Sequence, residues 1–374
     1  MSKNKKVILI YPYFNGISGA YNRYLLLEKL LKKENFKVKL IILKEKKYSS
    51  VYIKILEKSL KFLIVELLIL YYAVLRNHNL ITDFNPSIIA LFSKNVFVQI
   101  HDVSWVNINF ARNNFLLYQI LKSFIKYYQN ILTVSKTSMI AINKISARKK
   151  KTFFLYNSVN ESFIKESNNI GKDNNIFENS GFAKNLNLNI PTISYIATLI
   201  PRKCHFELIE ALSKTNISFN VFLIGLPNDN NVFEFIKKNK SFNSKNNKSN
   251  IYYYPEISQK DLCYLLLFSS AYISTAMDEG FGIPVLEAHL YNTPLVIRDI
   301  DINRELFPKA IFFNSSFQLS KILDNLTPLS KNEIIEKQMT LSNLNQGNLP
   351  NLFSYCLLSK KLKAEILNYI YNRY

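Results

Sequence analysis

Two carboxylates eight positions apart, Glu279 and Glu287, flank a Gly-Phe-Gly turn in the segment Ala271–Arg298, AYISTAMDEGFGIPVLEAHLYNTPLVIR. The apolar run predicts a strand ending near Thr275, then a loop holding Asp278, Glu279, Gly280, Phe281 and Gly282. Pro284 suits the first turn of a helix, where its missing N–H costs nothing. Glu287 then sits about one turn into that helix, so a loop carboxylate and a helix carboxylate can face one cleft. The glycines let backbone N–H groups approach a ligand, and the helix N-terminus favours a diphosphate. The residues alone thus describe a phosphate-plus-hydroxyl site; the bland alternative is a strand–turn–helix with solvated acids. A second segment, Tyr195–Leu212 (YIATLIPRKCHFELIEAL), places Arg202 and Lys203 at a predicted helix start, where two cations can hold two phosphates or merely face solvent. Asp299-Ile300-Asp301 has a spacing with which two carboxylates can hold a divalent ion on a diphosphate. It falls after a later strand of the same half, however, and Arg202 and Lys203 already supply the charge a metal would bring. No metal site is expected, and no GxSxG, HExxH or P-loop is present.

The chain has 374 residues, which at roughly 150 per domain predicts two domains. Continuous apolar runs at Val7–Tyr11, Val38–Leu43, 79–83, 96–100 and Ile131–Val134 read as strands buried on both faces. Helical patterns lie between them at 20–33, 52–75 and about 114–128, and Ser135 and Ser138 look like helix-start residues. Residues 165–190, rich in Asn, Ser and Gly, read as a linker. Alternation then restarts with strands at Thr192–Ala197, Asn220–Ile224, 251–254, 271–275, 294–298 and 310–313. The polar stretch 238–250 reads as a surface loop. The expected organisation is 1–165 as an N-terminal Rossmann-like domain, 166–190 as linker, 191–350 as a second Rossmann-like domain and 351–374 as a terminal helix. The expected fold class is α/β, with ligands at the carboxyl ends of strands and a cleft between two doubly wound domains.

Charge divides the chain. Residues 1–160 hold 26 Lys/Arg against 7 Asp/Glu, a net of +19, whereas residues 161–374 hold 22 against 20, a net of +2. A compositional bias of the genome would spread over both halves, so the first half is expected to face something acidic. Lys54, Lys58 and Lys61 share one face of a predicted helix that runs into the apolar stretch Phe62–Leu75, the pattern of an interfacial helix. That stretch has 14 residues and includes Glu66, too short to span a bilayer. Lys29, Lys32 and Lys33 cluster at the end of the first predicted helix. The three cysteines, Cys204, Cys263 and Cys356, show no CxxC spacing, which argues against a disulfide framework or zinc site and fits a reducing compartment.

The string EGFGIPVLE resembles the E-x7-E signature of retaining glycosyltransferases of family 4, which have the GT-B fold of two Rossmann-like domains facing across a cleft. In the following AHLYNTPLV, Asn292 stands where the family usually has Gly, and Asn tolerates a left-handed backbone. The Pro-Arg-Lys at 201–203 resembles the family's strand–loop–helix that neutralises the leaving diphosphate, with Thr198 where many members have Arg. Weaker echoes are Asn15–Gly19, similar to the glycine-rich first loop, and Ile100-His101-Asp102, similar to a strand end that places a histidine near the sugar. Pro255-Glu256-Ile257 resembles the turn that touches the nucleobase. The resemblance implies catalytic roles for His101, Arg202, Lys203 and Glu279. It implies donor binding by Gly19, Ile257, Gly280, Phe281, Gly282, Ile283, Leu286 and Glu287, with Glu279 on a sugar hydroxyl and Glu287 on the ribose diol.

The resemblance further implies metal-independent transfer of a hexosyl unit, with retention, from a nucleoside-diphosphate sugar to a glycan or lipid-linked acceptor in cell-surface polysaccharide synthesis. The expected location is the cytoplasm, with the basic first domain resting on an anionic membrane surface and no nucleic-acid partner. Two other readings stay open: a nucleotide-sugar epimerase of the same fold, and a non-catalytic membrane- or nucleic-acid-binding module.

Overall fold

The computed structural model describes residues 6–14, 19–33, 35–44, 51–84, 87–101, 103, 115–146, 151–181, 186–239, 241–244 and 247–342. Asn15–Ser18, Asp102, Cys356 and the expected terminal helix 351–374 lie outside the described residues. The chain divides into two compact units, with the boundary between Ser158 and Val159.

The first unit is built on a wholly parallel sheet of six strands: β1 (Lys6–Phe14), β2 (Lys37–Lys44), β3 (Asn79–Asp83), β4 (Val96–Ile100), β5 (Asn130–Thr133) and β6 (Thr152–Phe154). Their spatial order is β2-β1-β3-β4-β5-β6. Parity along β1 assigns its side chains to opposite faces. Val7 and Leu9 pack with Tyr24, Leu27 and Leu31 of helix α1 (Gly19–Lys33). Ile8 and Ile10 pack instead with Val65 and Ile69 of α2 (Val51–Ile69). That second face also holds Ala90 of α3 (Ile88–Phe92), Ile125 of α4 (Phe115–Tyr127) and Ile142 of α5 (Lys136–Ser146). The helix α2 ends in a π-helical turn, Leu70–Leu75. Helix α5 starts as the sequence predicts, with Ser135 Oγ accepting the N–H of Ser138 at 3.0 Å.

The second unit carries seven strands: β7 (Thr192–Ile196), β8 (Asn220–Ile224), β9 (Ser241–Ser244), β10 (Asn247–Tyr254), β11 (Ala271–Ser274), β12 (Leu295–Arg298) and β13 (Ile311–Phe313). The order is β13-β12-β11-β7-β8-β10-β9, parallel except for β9, which pairs antiparallel with β10. The stretch 238–250 is therefore no plain surface loop: it forms β9 and the first half of β10. A polar strand at a sheet edge has the composition of a loop, so composition alone does not separate the two.

The expected linker 166–190 also folds differently. Helix α6 (Glu161–Gly171) and the short α7 (Ile176–Asn179) belong to the second unit. Phe163, Ile164, Ile170 and Ile176 are buried there, Tyr291 donates to Ser167 at 2.9 Å and Gln338 donates to the carbonyls of Ile170 and Asp173. Three apolar residues on one face of α6, with Ile176 of α7, outweigh the Asn and Ser that suggested a linker.

Candidate active site

In the second unit β7 is the strand at which the order reverses, with β11 on one side and β8 on the other. Connections leaving such a pair run to opposite faces, so a crevice opens at their carboxyl ends. Both predicted motifs emerge there. After β7 the chain makes a 3-10 turn, Pro201–Lys203, and enters α8 (His205–Ser213) through Cys204, which has a left-handed backbone (φ 51°). After β11 it makes the 275–282 loop and enters α11 (Ile283–Leu290) through Gly282, also left-handed at φ 79°. At that φ a Cβ is strained whatever space surrounds it.

A set of hydrogen bonds straps the two loops together. Thr275 Oγ1 donates toward the carbonyls of Lys203 and Cys204, each at 2.9 Å, and Tyr195 donates to the Lys203 carbonyl at 2.6 Å. The N–H of Met277 donates to the Arg202 carbonyl, and Arg202 Nη1 returns a bond to the Asp278 carbonyl, both at 3.0 Å. Lys203 Nζ forms an ion pair with Glu279. Three of the predicted site residues, Arg202, Lys203 and Glu279, are thus brought together, and both members of the Lys203–Glu279 pair are largely buried.

Glu287 lies in the middle of α11, as its spacing predicts, and is 7% exposed. Among the described residues it has no hydrogen bond or ion pair, and burial pushes its carboxyl up to about 8. Buried polar groups ordinarily find partners, so a carboxyl left without one invites a ligand with donors. Gly280, Phe281 and Leu286 are buried, and Ile283 is half-buried. Ile257, after β10, is half-buried against Phe222, Ile224 and Leu265. Asn292 takes the left-handed backbone at φ 52° that its place in the motif requires.

Two participants escaped the sequence reading. Arg298, at the end of β12, is buried; its Nε donates to the Thr275 carbonyl at 2.9 Å and its guanidinium pairs with Glu207 of α8. It anchors the residue whose hydroxyl holds the Lys203 turn. Gly225, after β8, has φ 157°, and a Cβ there would come within 2.0 Å of the Ala197 carbonyl oxygen. Only glycine lets the loops after β7 and β8 approach so closely. Asp299 is committed to Arg304, with Nη2 2.6 Å from Oδ2, rather than poised with Asp301. Cys204 is half-buried and burial raises its thiol above the ordinary value, the opposite of an activated nucleophile.

In the first unit His101 follows β4. Its Nε2 lies 2.8 Å from Asp83 Oδ1, and Asp83 ends the adjacent strand β3. Gln99 Oε1 accepts from Arg23 Nε at 2.6 Å, which turns the Gln99 amide toward His101 and Asp83. His101 Nε2 thus faces both the Asp83 carboxylate and the Gln99 amide nitrogen, 3.0 Å away. Arg23 itself is 2% exposed and also donates to the Leu155 carbonyl at 2.6 Å and to Asn157 Oδ1 at 2.7 Å. The histidine is therefore held by a carboxylate and an amide, partners that strand adjacency supplies. Gly19 opens α1.

Two cations, an acid and a buried carboxyl with no partner among the described residues thus gather at the switch point of a doubly wound domain. Residues 177–341 match the family described as Glycosyl transferases group 1. The chain is 29% identical over 130 residues to the serotype-specific mannosyltransferase WbdA of Escherichia coli, covering 33% of this chain and 15% of that protein. It is 26% identical over 198 residues to the O-antigen chain mannosyltransferase RfbU of Salmonella typhimurium, covering 52% of this chain and 49% of that one. The chain thus spans half or less of the length of these curated relatives. A glycosyltransferase from Rickettsia africae superposes with a TM-score of 0.65 at 19% identity, over 98% of this chain and 99% of that one. Anabaena Alr3699/HepE in complex with UDP and glucose gives 0.59 at 13% identity, over 97% and 99%. The likeness extends over both units and shows a two-domain, Rossmann-like GT-B fold.

Proposed function

We propose that this protein is a retaining glycosyltransferase that moves a hexosyl unit from a nucleoside-diphosphate sugar to a glycan or lipid-linked acceptor in cell-surface polysaccharide synthesis. The observation that carries the reading is the switch point of the second unit, where Arg202, Lys203 and Glu279 meet and Glu287 stands buried with no partner among the described residues. The mannosyltransferase relatives and the structural neighbour bound to UDP and glucose support the same chemistry.

Departure of the diphosphate builds negative charge on phosphate oxygens, and preorganised cations aimed at that charge are the largest single source of rate. Lys203 is paired with Glu279 before the donor arrives. A diphosphate drawing on the Lys203 ammonium releases Glu279 to accept from a sugar hydroxyl, so one exchange of partners both binds the donor and arms the acid for orientation. Arg202, tethered to the Asp278 carbonyl, stays in register for the second phosphate. Glu287 accepts the two hydroxyls of the ribose. The charge of the Arg202–Lys203 pair stands in for a divalent ion, and the transfer is metal-independent.

The test is titration calorimetry of the full chain with a panel of nucleoside diphosphates and their sugars, followed by transfer assays with the anomeric outcome read by NMR. Binding of a sugar nucleotide and transfer with retained configuration are expected. Failure of every nucleoside diphosphate to bind overturns the proposal, and inversion overturns its stereochemistry. Isomerisation or release of the sugar without any acceptor dependence favours an epimerase.

A further inference from the structure

The sheet face of the first unit that carries α2, α3 and α4 is covered on its inner side by one apolar cluster. The outer side of those same helices is apolar as well. On α2 and its π-helical turn, Leu60, Leu63, Leu67 and Val74 recur at helical spacing and are all about half exposed. On α3, Ile88 is 60% and Phe92 79% exposed, and on α4, Phe115 is 66% and Leu116 74% exposed. Side chains of this size scattered singly on a surface need no explanation, but a run across three adjoining helices does. The helices are tied into one surface. The Ile89 N–H donates to Glu66 of α2, Gln129 beyond α4 donates to the Leu91 carbonyl at 2.8 Å, and Tyr128 accepts from the Ser87 N–H at 3.1 Å. Between the π-helical turn and α3 lies a groove of about 470 Å³ lined by the apolar Ala73, Val74, Ile88, Ile89 and Phe92 and by the polar Asn77, Ser93 and Asn95.

Charge around this surface has one sign. Lys58, Arg76, Lys94 and Lys126 are exposed on or beside the three helices. The acids of these helices are both engaged: Glu57 pairs with Lys61 at 3.0 Å, and Glu66 accepts from the α3 backbone. The pattern expected from sequence is corrected at one point, because Lys61 is buried at 8% exposure and belongs under the surface rather than on its cationic rim. Among the described residues no helix is long and apolar enough to cross a membrane.

We infer that this outer face of α2, α3 and α4 docks on an anionic lipid bilayer, with its leucines and phenylalanines in the headgroup boundary and its cations on acidic headgroups. An apolar face of this breadth with a cationic rim is the chemistry of interfacial binding, in which buried apolar area and attraction to anionic lipid act together. All the residues named on this face belong to the first unit, so the inference stands apart from the catalytic reading.

The test is co-flotation of the full chain with vesicles of phosphatidylcholine alone and with added phosphatidylglycerol, at low and high salt. The wild type is expected to float with the anionic vesicles at low salt and to be released at least several-fold by salt. Leu67→Asp with Phe92→Asp is expected to abolish flotation, and Lys94→Glu with Lys126→Glu to weaken it roughly tenfold, while nucleoside diphosphate affinity stays that of the wild type. All four positions are exposed, and folding of each variant is checked by circular dichroism and by its urea unfolding midpoint. Wild type that remains in the supernatant, or variants that float as well as wild type, overturn the inference. A wild-type dimer in light scattering that becomes monomeric with the Asp pair, and does not float, assigns the face to a second copy of this chain instead.

Discussion

The two units share a doubly wound plan but hold the polar groups at the carboxyl ends of their sheets differently. At the strand ends of the first, the buried arginine is satisfied: Arg23 donates to Gln99, to Asn157 and to backbone carbonyls, and Gln99 and His101 converge on Asp83. In the second, the polar groups at the switch point are held in reserve: Lys203 and Glu279 neutralise one another, and Glu287 has no partner among the described residues. A saturated network fixes a shape, whereas an incomplete one waits for a ligand. The proposed donor chemistry falls in the second unit although the excess positive charge, +19, lies in residues 1–160. Net charge reports what a surface attracts, and only the unsatisfied groups report where a ligand is held.

The strongest test of that contrast is Lys203→Ala. Loss of a charge aimed at the leaving diphosphate is expected to cut kcat by about 10²–10³-fold, read with intact donor at saturating acceptor. An effect confined to acceptor KM would remove Lys203 from the leaving group. The matching change in the first unit, Arg23→Met, strands Gln99, Asn157 and two carbonyls in the interior. It is expected to cost about 3 kcal/mol of stability in urea unfolding, with nucleoside diphosphate affinity unaltered. If affinity falls with stability, the two units are not separable in the way proposed.

Glu287→Ala is expected to weaken nucleoside diphosphate binding by about 1–3 kcal/mol, the range for a lost hydrogen bond to a charged group, measured by calorimetry on the folded variant. The wild-type pH profile sharpens the same point. Burial raises the Glu287 carboxyl from 4.5 to about 8, so between those values the folded chain keeps a proton that the unfolded chain has lost. Its contribution is fully present below pH 4.5 and is lost as pH rises through 8, so stability falls across that window. Glu287→Gln is expected to flatten this slope in melts run from pH 5 to 8. A ribose diol favours the carboxylate form, so binding releases a proton, and affinity climbs as pH approaches 8. Binding enthalpies that do not vary with buffer ionisation at pH 7 would remove the carboxyl from the ribose. The smallest expected effect is that of a chelator, which should leave transfer rates unchanged. Activity abolished by chelation and restored by magnesium or manganese would return Asp299 and Asp301 to the site.

Sequence alone determined those features that depend on neighbours along the chain. The runs at 79–83, 96–100 and 220–224 became strands with those bounds because continuous apolar residues suit strands buried on both faces. The Gly-Phe-Gly turn, Pro284 and the spacing to Glu287 defined a loop and a helix whose geometry is local, and the structure has both. Asn292 took its left-handed turn for the same reason. Tertiary structure decided whatever depends on residues far apart in the chain. Arg23 reads as one more cation of a basic half until β4, β5 and the segment at 155–157 close around it. His101 gains Asp83, and Thr275 gains Arg298, only because parallel strands bring their carboxyl ends side by side. The Asn- and Ser-rich stretch at 165–190 reads as a linker until helices after β10 and β13 give its few apolar residues a place to be buried. Composition counts residues, whereas burial depends on the partners that the strand order delivers, and that order is not written in any local window.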